Sequence, residues 1–403
     1  MKLLYFTIQI NMLGGLAKIV IDKINWLVDH GYEVTLCNIE RLDVVPAYPI
    51  DKRVKLVRGD ISTEPGGVLT RLKGVIGAIK RTKEIIEQEK PDVIVNAHCP
   101  LVTWLLPWVS GFRFQVSGLS AKLMFGQSRF QVSRVPTVIE MHQSRQGLEV
   151  FNRQFMSPFG RWLHRWSIKW IYSRYDRFVV LTNGDREAWN TKNCVTIPNF
   201  ATVDCSEHEK HEKDESKSRQ IIMLARLMPQ KRIDLMIDIW AKLAKDFPEW
   251  HVKVLGDGML RESLELKVEG FGLRDSFLMP GGVKDVNAEL EASDILCLTS
   301  EYEGFGIVLI EAMLKHVPVM AFEYVGVHDI IEDGVDGYVV PFGDVEAYAA
   351  KLRMLMESEA LRREFSDRAM ERVKKFDKER VMGMWVDLFE NLTQISQISQ
   401  NTL

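Results

Sequence analysis

The sequence predicts an α/β protein built from two Rossmann-like domains that face each other across a cleft. Its 403 residues, 46% hydrophobic and 27% charged, are too many for one ordinary core, so two domains are expected. Strand-like runs alternate with helical patterns in a repeated βαβ order, the mark of parallel sheets with crossover helices. Residues 206–220 read SEHEKHEKDESKSRQ, with no apolar side chain to bury, and mark a solvated linker or loop. The expected division is 1–200 for an N-terminal domain, 201–377 for a C-terminal domain and 378–403 for a last helix.

In the first half, Lys2 to Thr7 reads as a strand and Leu16 to Asp29 as a helix ending at Gly31. Glu33 to Cys37 is the next strand, and Val68 to Glu89 a long helix stopped by Pro91. Val93 to Asn96, Thr137 to Met141, Phe178 to Leu181 and Val195 to Ile197 supply further strands. The second series runs from a strand at Ile221 to Leu224 through a helix at Ile233 to Phe247 to a strand at Val252 to Leu255. A helix from Met259 follows, then strands at Phe277 to Met279 and Ile295 to Thr299, a helix from Phe305 to Lys315 and a strand at Val317 to Ala321. After Val345 the helices are charged and amphipathic, and Met382, Trp385, Val386 and Phe389 offer an apolar face to the first domain.

Composition narrows the setting. The longest apolar stretch, around Leu101 to Val109, contains Pro107 and is far shorter than the roughly 20 residues of a membrane-spanning helix. No A-x-A-like cleavage site follows the N-terminal apolar run, so a cytoplasmic protein is expected. Cys37, Cys99, Cys194, Cys205 and Cys297 form no C-x-x-C and read as reduced packing residues, neither a disulfide framework nor a zinc site. The net charge of -3 hides an asymmetry: residues 1–200 carry 27 Lys/Arg against 17 Asp/Glu, and the remainder 25 against 38. The basic half suits an anionic partner such as a phosphate-bearing acceptor or an anionic membrane surface.

The turn after the first strand, with Gly14 and Gly15, lacks the three-glycine G-x-G-x-x-G fingerprint, which speaks against a nicotinamide cofactor even with Glu40 after the second strand. The pair either lets backbone approach an anion at a helix start or serves a tight turn. Arg226 and Lys231 project two cations at the C-terminal edge of a strand, where an open parallel sheet binds ligands and a diphosphate could sit; loop cations are also commonly only solvated. In the run from Ser300 to Met313, Glu303 lies in a loop and Glu311 in the helix that follows. A carboxylate accepts two hydroxyls at once, as a ribose diol or a sugar ring requires, and amides near Phe305 and Gly306 can meet phosphate.

Gly14-Gly15, the Arg226 to Lys231 pair, the Gly256-Asp257-Gly258 turn and the run E-G-F-G-I-V-L-I-E-A-M from Glu303 together resemble glycosyltransferase family 4: retaining enzymes of the GT-B fold, related to glycogen synthases and bacterial polysaccharide transferases. The resemblance implies that Arg226 and Lys231 hold a donor diphosphate, Glu311 ribose hydroxyls and Glu303 hydroxyls of the transferred sugar. It places His142 near the reacting centre, although a lone histidine after a strand also reads as structural. It implies a retaining hexosyltransferase acting on a nucleotide diphosphate sugar, most simply a UDP-sugar, and on a glycan or lipid-linked acceptor in cell-surface polysaccharide synthesis. No cofactor is implied and no nucleic-acid partner. The sequence has no D-x-D, so no essential metal is expected and cations for the leaving diphosphate come from Arg226, Lys231 and helix amides. Other GT-B activities, a phosphorylase or a nucleotide-sugar 2-epimerase, and a non-catalytic sugar-nucleotide binder are the alternatives. Two departures from the family pattern are Phe200 where glycine is common, and Asp329 where a glutamate is usual.

Trp162, Trp166 and Trp170 form a stripe beside Arg161, Arg165 and Lys169, both at i, i+4 spacing. Such faces suit a lipid interface or, with the tryptophans turned inward, a domain core. The aromatic and basic stretch from Phe112 to Arg134 favours peripheral binding to anionic membrane.

Overall fold

Continuous apolar runs such as LLYF in the first strand and VIV before Asn96 are those of strands covered on both faces, which parallel sheets require. The computed structural model accordingly contains two wholly parallel sheets. It describes residues 1–403 except 9, 12–13, 40–44, 62–67, 98, 110–134, 203–218, 284 and 402–403. Glu40, Cys205, most of the acidic linker and the basic stretch from Phe112 to Arg134 lie outside the described residues.

The first sheet and its helices run β1 (Lys2–Thr7), α1 (Gly15–Asp29), β2 (Glu33–Asn38), β3 (Lys55–Arg58), α2 (Val68–Glu89), β4 (Val93–Ala97), α3 (Pro100–Val109) and β5 (Thr137–Glu140). There follow α4 (Arg145–Phe155), α5 (Pro158–Tyr172), β6 (Arg177–Val180), α6 (Asn183–Trp189) and β7 (Cys194–Thr196). The strand order is 3-2-1-4-5-6-7. The second series is β8 (Arg219–Leu224), α7 (Ile233–Leu243), β9 (Trp250–Leu255), α8 (Arg261–Gly270), β10 (Phe277–Gly281), α9 (Val286–Glu291) and β11 (Ile295–Leu298). It ends with α10 (Ile307–Leu314), β12 (Val319–Phe322), β13 (Gly337–Val340), α11 (Val345–Glu357), α12 (Glu359–Val373) and α13 (Lys378–Asn401), in the strand order 10-9-8-11-12-13. Each order reverses once, between β1 and β4 and between β8 and β11. Loops diverge at such a switch point and leave a crevice at the C-terminal edge of the strands.

Local chemistry accounts for elements the sequence reading left out. Ser144, Ser157 and Thr182 each accept a backbone N–H from three residues ahead and so start α4, α5 and α6. β3 lies at the sheet edge and is mostly exposed, so it shows no apolar run. β8 begins two residues before the predicted strand, because the buried Gln220 finds partners in Ser293 and His251. α8 begins at Arg261 instead of Met259, and α10 at Ile307 instead of Phe305. At Gly306 the backbone is left-handed, φ 85°, and a Cβ there would lie 2.4 Å from the Tyr324 hydroxyl. Only glycine meets both demands.

Among the described residues, α13 lays Val381, Met382, Trp385, Phe389 and Leu392 into one core with β1 and α1 of the first domain. Each large apolar side chain so buried contributes roughly 1.5 to 3 kcal/mol. Cys37, Cys99, Cys194 and Cys297 are buried. Among the described residues no helix is long and apolar enough to cross a membrane.

Candidate active site

The two switch points face each other. In the second sheet, β8 leads into the loop holding Arg226 and Lys231, and β11 into the loop holding Ser300 to Gly306, so residues some seventy positions apart in sequence become neighbours. The Lys231 ammonium donates to Glu303 Oε1 at 2.6 Å, and the Ser300 hydroxyl donates to the same oxygen at 2.6 Å. The sequence reading assigned Lys231 to the diphosphate and Glu303 to the sugar, and the structure pairs them. Arg226, in the same loop, is exposed and has no carboxylate partner among the described residues. Gly256 and Gly258 let the β9 loop close on the β8 loop: a Cβ would lie 2.2 Å from Ala225 O at Gly256 and 2.5 Å from Leu227 O at Gly258.

Glu311 lies about one turn into α10, which starts at Ile307. Its carboxylate accepts the Thr202 hydroxyl. Burial raises its pKa, while Thr202 and the Lys18 charge on α1 pull it down. Phe305 buries its ring against Phe376, so only its backbone is available to a ligand. Gly15 starts α1 and faces α10 across the cleft; a Cβ on Gly15 would rest 3.6 Å from Ile307. The Gly14 amide donates to the Tyr48 hydroxyl. Both sequence-predicted glycines thus sit at the N-terminus of one helix and beside that of another, where backbone amides favour anions.

His142 follows β5, and its carbonyl oxygen would be 2.0 Å from a Cβ on Gly304, so the two domains meet at backbone level here. Gln146 ties them further, donating to Glu301 O and accepting from Val325 N, each at 3.0 Å. The Asp329 carboxylate accepts from Asn183 and from the Gly184 amide at the start of α6. Asp329 thus makes an interdomain contact.

Beneath His142 lies a buried polar group. Glu140 and Lys23, both 1% exposed, form an ion pair, and the Lys23 ammonium stands 3.8 Å from the centre of the Trp385 ring on α13. Burial pushes the Glu140 carboxyl up, but the Lys23 charge and His142 outweigh it and hold its pKa at about 2. His142 Nε2 is 3.2 Å from Glu140 Oε1 without hydrogen-bond alignment, so the contact is electrostatic. Lys23 interrupts the apolar stripe of Val20, Ile24 and Leu27 on α1, a signal that could have found it: a lysine at a core position needs a buried partner. Nothing in the sequence points to Gln146 or Thr202.

In α5, Trp162 and Trp166 are 61% and 59% exposed, while Trp170 is half-buried. The core alternative therefore fails for the first two.

Residues 13–204 match the family described as Glycosyltransferase Family 4, and residues 205–372 the family described as Glycosyl transferases group 1. The amylovoran biosynthesis glycosyltransferase AmsD of Erwinia amylovora is 26% identical over 96% of this chain and 99% of its own length. Two more identical relatives match over part of their length. An exopolysaccharide phosphotransferase of Streptomyces coelicolor is 32% identical over 54% of this chain, which spans only 23% of it. The Campylobacter jejuni enzyme that adds N-acetylgalactosamine to a diphosphate-undecaprenol-linked glycan is 33% identical over 43% of this chain and 48% of itself. Among solved structures, a TarM variant from S. aureus bound to fondaparinux, α-GlcNAc-glycerol and UDP superposes with a TM-score of 0.71, covering 96% of this chain and 99% of that one at 15% identity. With a family 4 domain followed by a group 1 domain on two facing parallel sheets, the chain is a glycosyltransferase of the GT-B fold.

Proposed function

We propose that the chain is a retaining, metal-independent hexosyltransferase that moves a sugar from a UDP-sugar to a hydroxyl of a glycan or lipid-linked acceptor in cell-surface polysaccharide synthesis, working from the cytoplasmic face of a membrane it binds peripherally. The observation that carries this reading is the meeting of the two switch-point crevices, with the Arg226 loop and the Lys231–Glu303 pair on one side and His142 on the other. Arg226, Lys231 and the amides at Gly14, Gly15, Phe305 and Gly306 receive the diphosphate, and Glu311 the ribose hydroxyls. Glu303 receives hydroxyls of the transferred sugar. The acceptor oxygen bonds to the anomeric carbon on the face the diphosphate leaves, and the acceptor proton passes to the departing phosphate oxygen. Retention then needs no second catalytic carboxylate. His142 stands beside the anomeric carbon, with its Nε2 3.2 Å from Glu140 Oε1.

Acceptor-dependent release of UDP from a panel of UDP-sugars tests this reading, since an epimerase or phosphorylase would not require the acceptor hydroxyl. Turnover is expected to survive EDTA; abolition by EDTA and restoration by Mg²⁺ or Mn²⁺ would show that Arg226 and Lys231 do not neutralise the leaving group alone.

A further inference from the structure

One cavity outside the cleft is strongly cationic. It lies between α4, α5 and α6, encloses about 470 Å³ with the solvent at its mouth, and is lined by Arg145, Arg153, Arg161 and Arg165 against a single carboxylate, Glu149. Glu149 is shared between Arg145 at 3.2 Å and Arg165 at 3.8 Å. Arg153 and Arg161 have no carboxylate partner among the described residues, so the site holds a surplus of positive charge. Guanidinium forks match phosphoryl oxygens two at a time, and convergent arginines repel one another unless an anion lies between them. On the cavity wall the Asn152 amide and His164 Nδ1 are 2.9 Å apart, and burial lowers the His164 pKa. With Asn152 donating, the ring proton sits on Nε2, a further neutral donor.

The cavity's position says where such an anion comes from. α4 starts three residues after His142, so the cavity stands beside the cleft. On its other side α5 exposes Phe159, Trp162, Leu163 and Trp166, spaced i, i+3, i+4, i+7, at 70%, 61%, 46% and 59%. α5 turns Ile168, Ile171 and Tyr172 to the core, so among the described residues this second apolar face stays uncovered. A soluble anion would explain the arginines and leave the aromatic row unexplained. A phosphoryl group carried on a lipid explains both, with the aromatics in the acyl boundary and the arginines at headgroup level.

We propose that this cavity binds the diphosphate by which the acceptor is attached to its lipid, placing the acceptor hydroxyl toward His142. This deepens the transferase reading and rests on it. The test measures vesicle flotation of the full chain. Phosphatidylcholine vesicles doped with undecaprenyl diphosphate are compared with vesicles doped with phosphatidylglycerol to equal surface charge. The wild type is expected to bind the diphosphate vesicles at least about tenfold tighter, as bidentate charge-assisted contacts allow. Arg153→Gln/Arg161→Gln should lose that margin with UDP affinity unchanged, and Trp162→Ser/Trp166→Ser should weaken binding to both vesicles. Equal binding of the wild type to the two vesicles, or a margin that survives the double arginine change, overturns the inference. UDP titration of the same samples reports on the donor site alone, so absence of UDP binding counts against the transferase reading and not against the cavity.

Discussion

Replacing Lys23 with methionine is expected to lower stability by about 3 to 5 kcal/mol, because it strands the buried Glu140 carboxylate without its counter-ion. Methionine fills much of the same volume against Trp385, so lost packing is a minor part of the loss. In a domain of this size the change should lower the midpoint of thermal unfolding by roughly 10 °C. Adding Glu140→Gln to Lys23→Met should recover most of the loss, since no charge is then left buried. The pH dependence has a definite sign. In the wild type the folded-state pKa of Glu140 is depressed to about 2 from the ordinary 4.5, so its stabilisation is present above 4.5 and fades as pH falls toward 2. In Lys23→Met burial raises that pKa instead, so the variant's deficit should shrink on acidification. A midpoint within a degree or two of wild type at neutral pH would mean that the Lys23–Glu140 pair is not formed.

The second large effect separates the two carboxylates of the Glu303 to Glu311 run. Glu311 is half-buried, bonded to Thr202 and placed for the ribose, whose contacts change little as the glycosidic bond breaks. Glu311→Gln should therefore weaken UDP-sugar and UDP alike. Glu303 is placed at the sugar, where positive charge develops, so Glu303→Gln should reduce kcat by more than it weakens UDP. A lost hydrogen bond to a charged group is worth about 1.5 to 3 kcal/mol, or roughly 10- to 150-fold, within reach of calorimetry and steady-state kinetics. Glu303→Gln also releases Lys231 from its ion pair, which should offset part of any loss in UDP affinity. Equal losses of UDP affinity in the two variants would contradict the assignment.

How much of the site is legible in the sequence follows from how its parts are built. Arg226, Lys231, Glu303 and Glu311 stand in loops and a helix start directly after strands, and a parallel sheet sends such loops to one edge, so strand positions alone bring them near one another. Which of them pair is decided by strand order: the Lys231–Glu303 contact exists because β8 and β11 are adjacent in the sheet, a fact no local pattern carries. Gln146 and Asp329 act through the packing of one domain on the other. Their residue types are ordinary for a helix start and a loop, so no local pattern marks them. Lys23 and Glu140 were legible in principle, each a charge inside an otherwise apolar pattern.

Isothermal titration with UDP and with uridine tests whether Arg226 and its neighbours at the C-terminal edge of the second sheet form a diphosphate site. Arg226→Gln is expected to weaken UDP by about tenfold or more, the worth of a charge-assisted contact to phosphate, and to leave uridine affinity unchanged. If the variant binds UDP as tightly as the wild type, or loses uridine in the same proportion, the diphosphate does not lie at Arg226 and the account of the cleft is wrong.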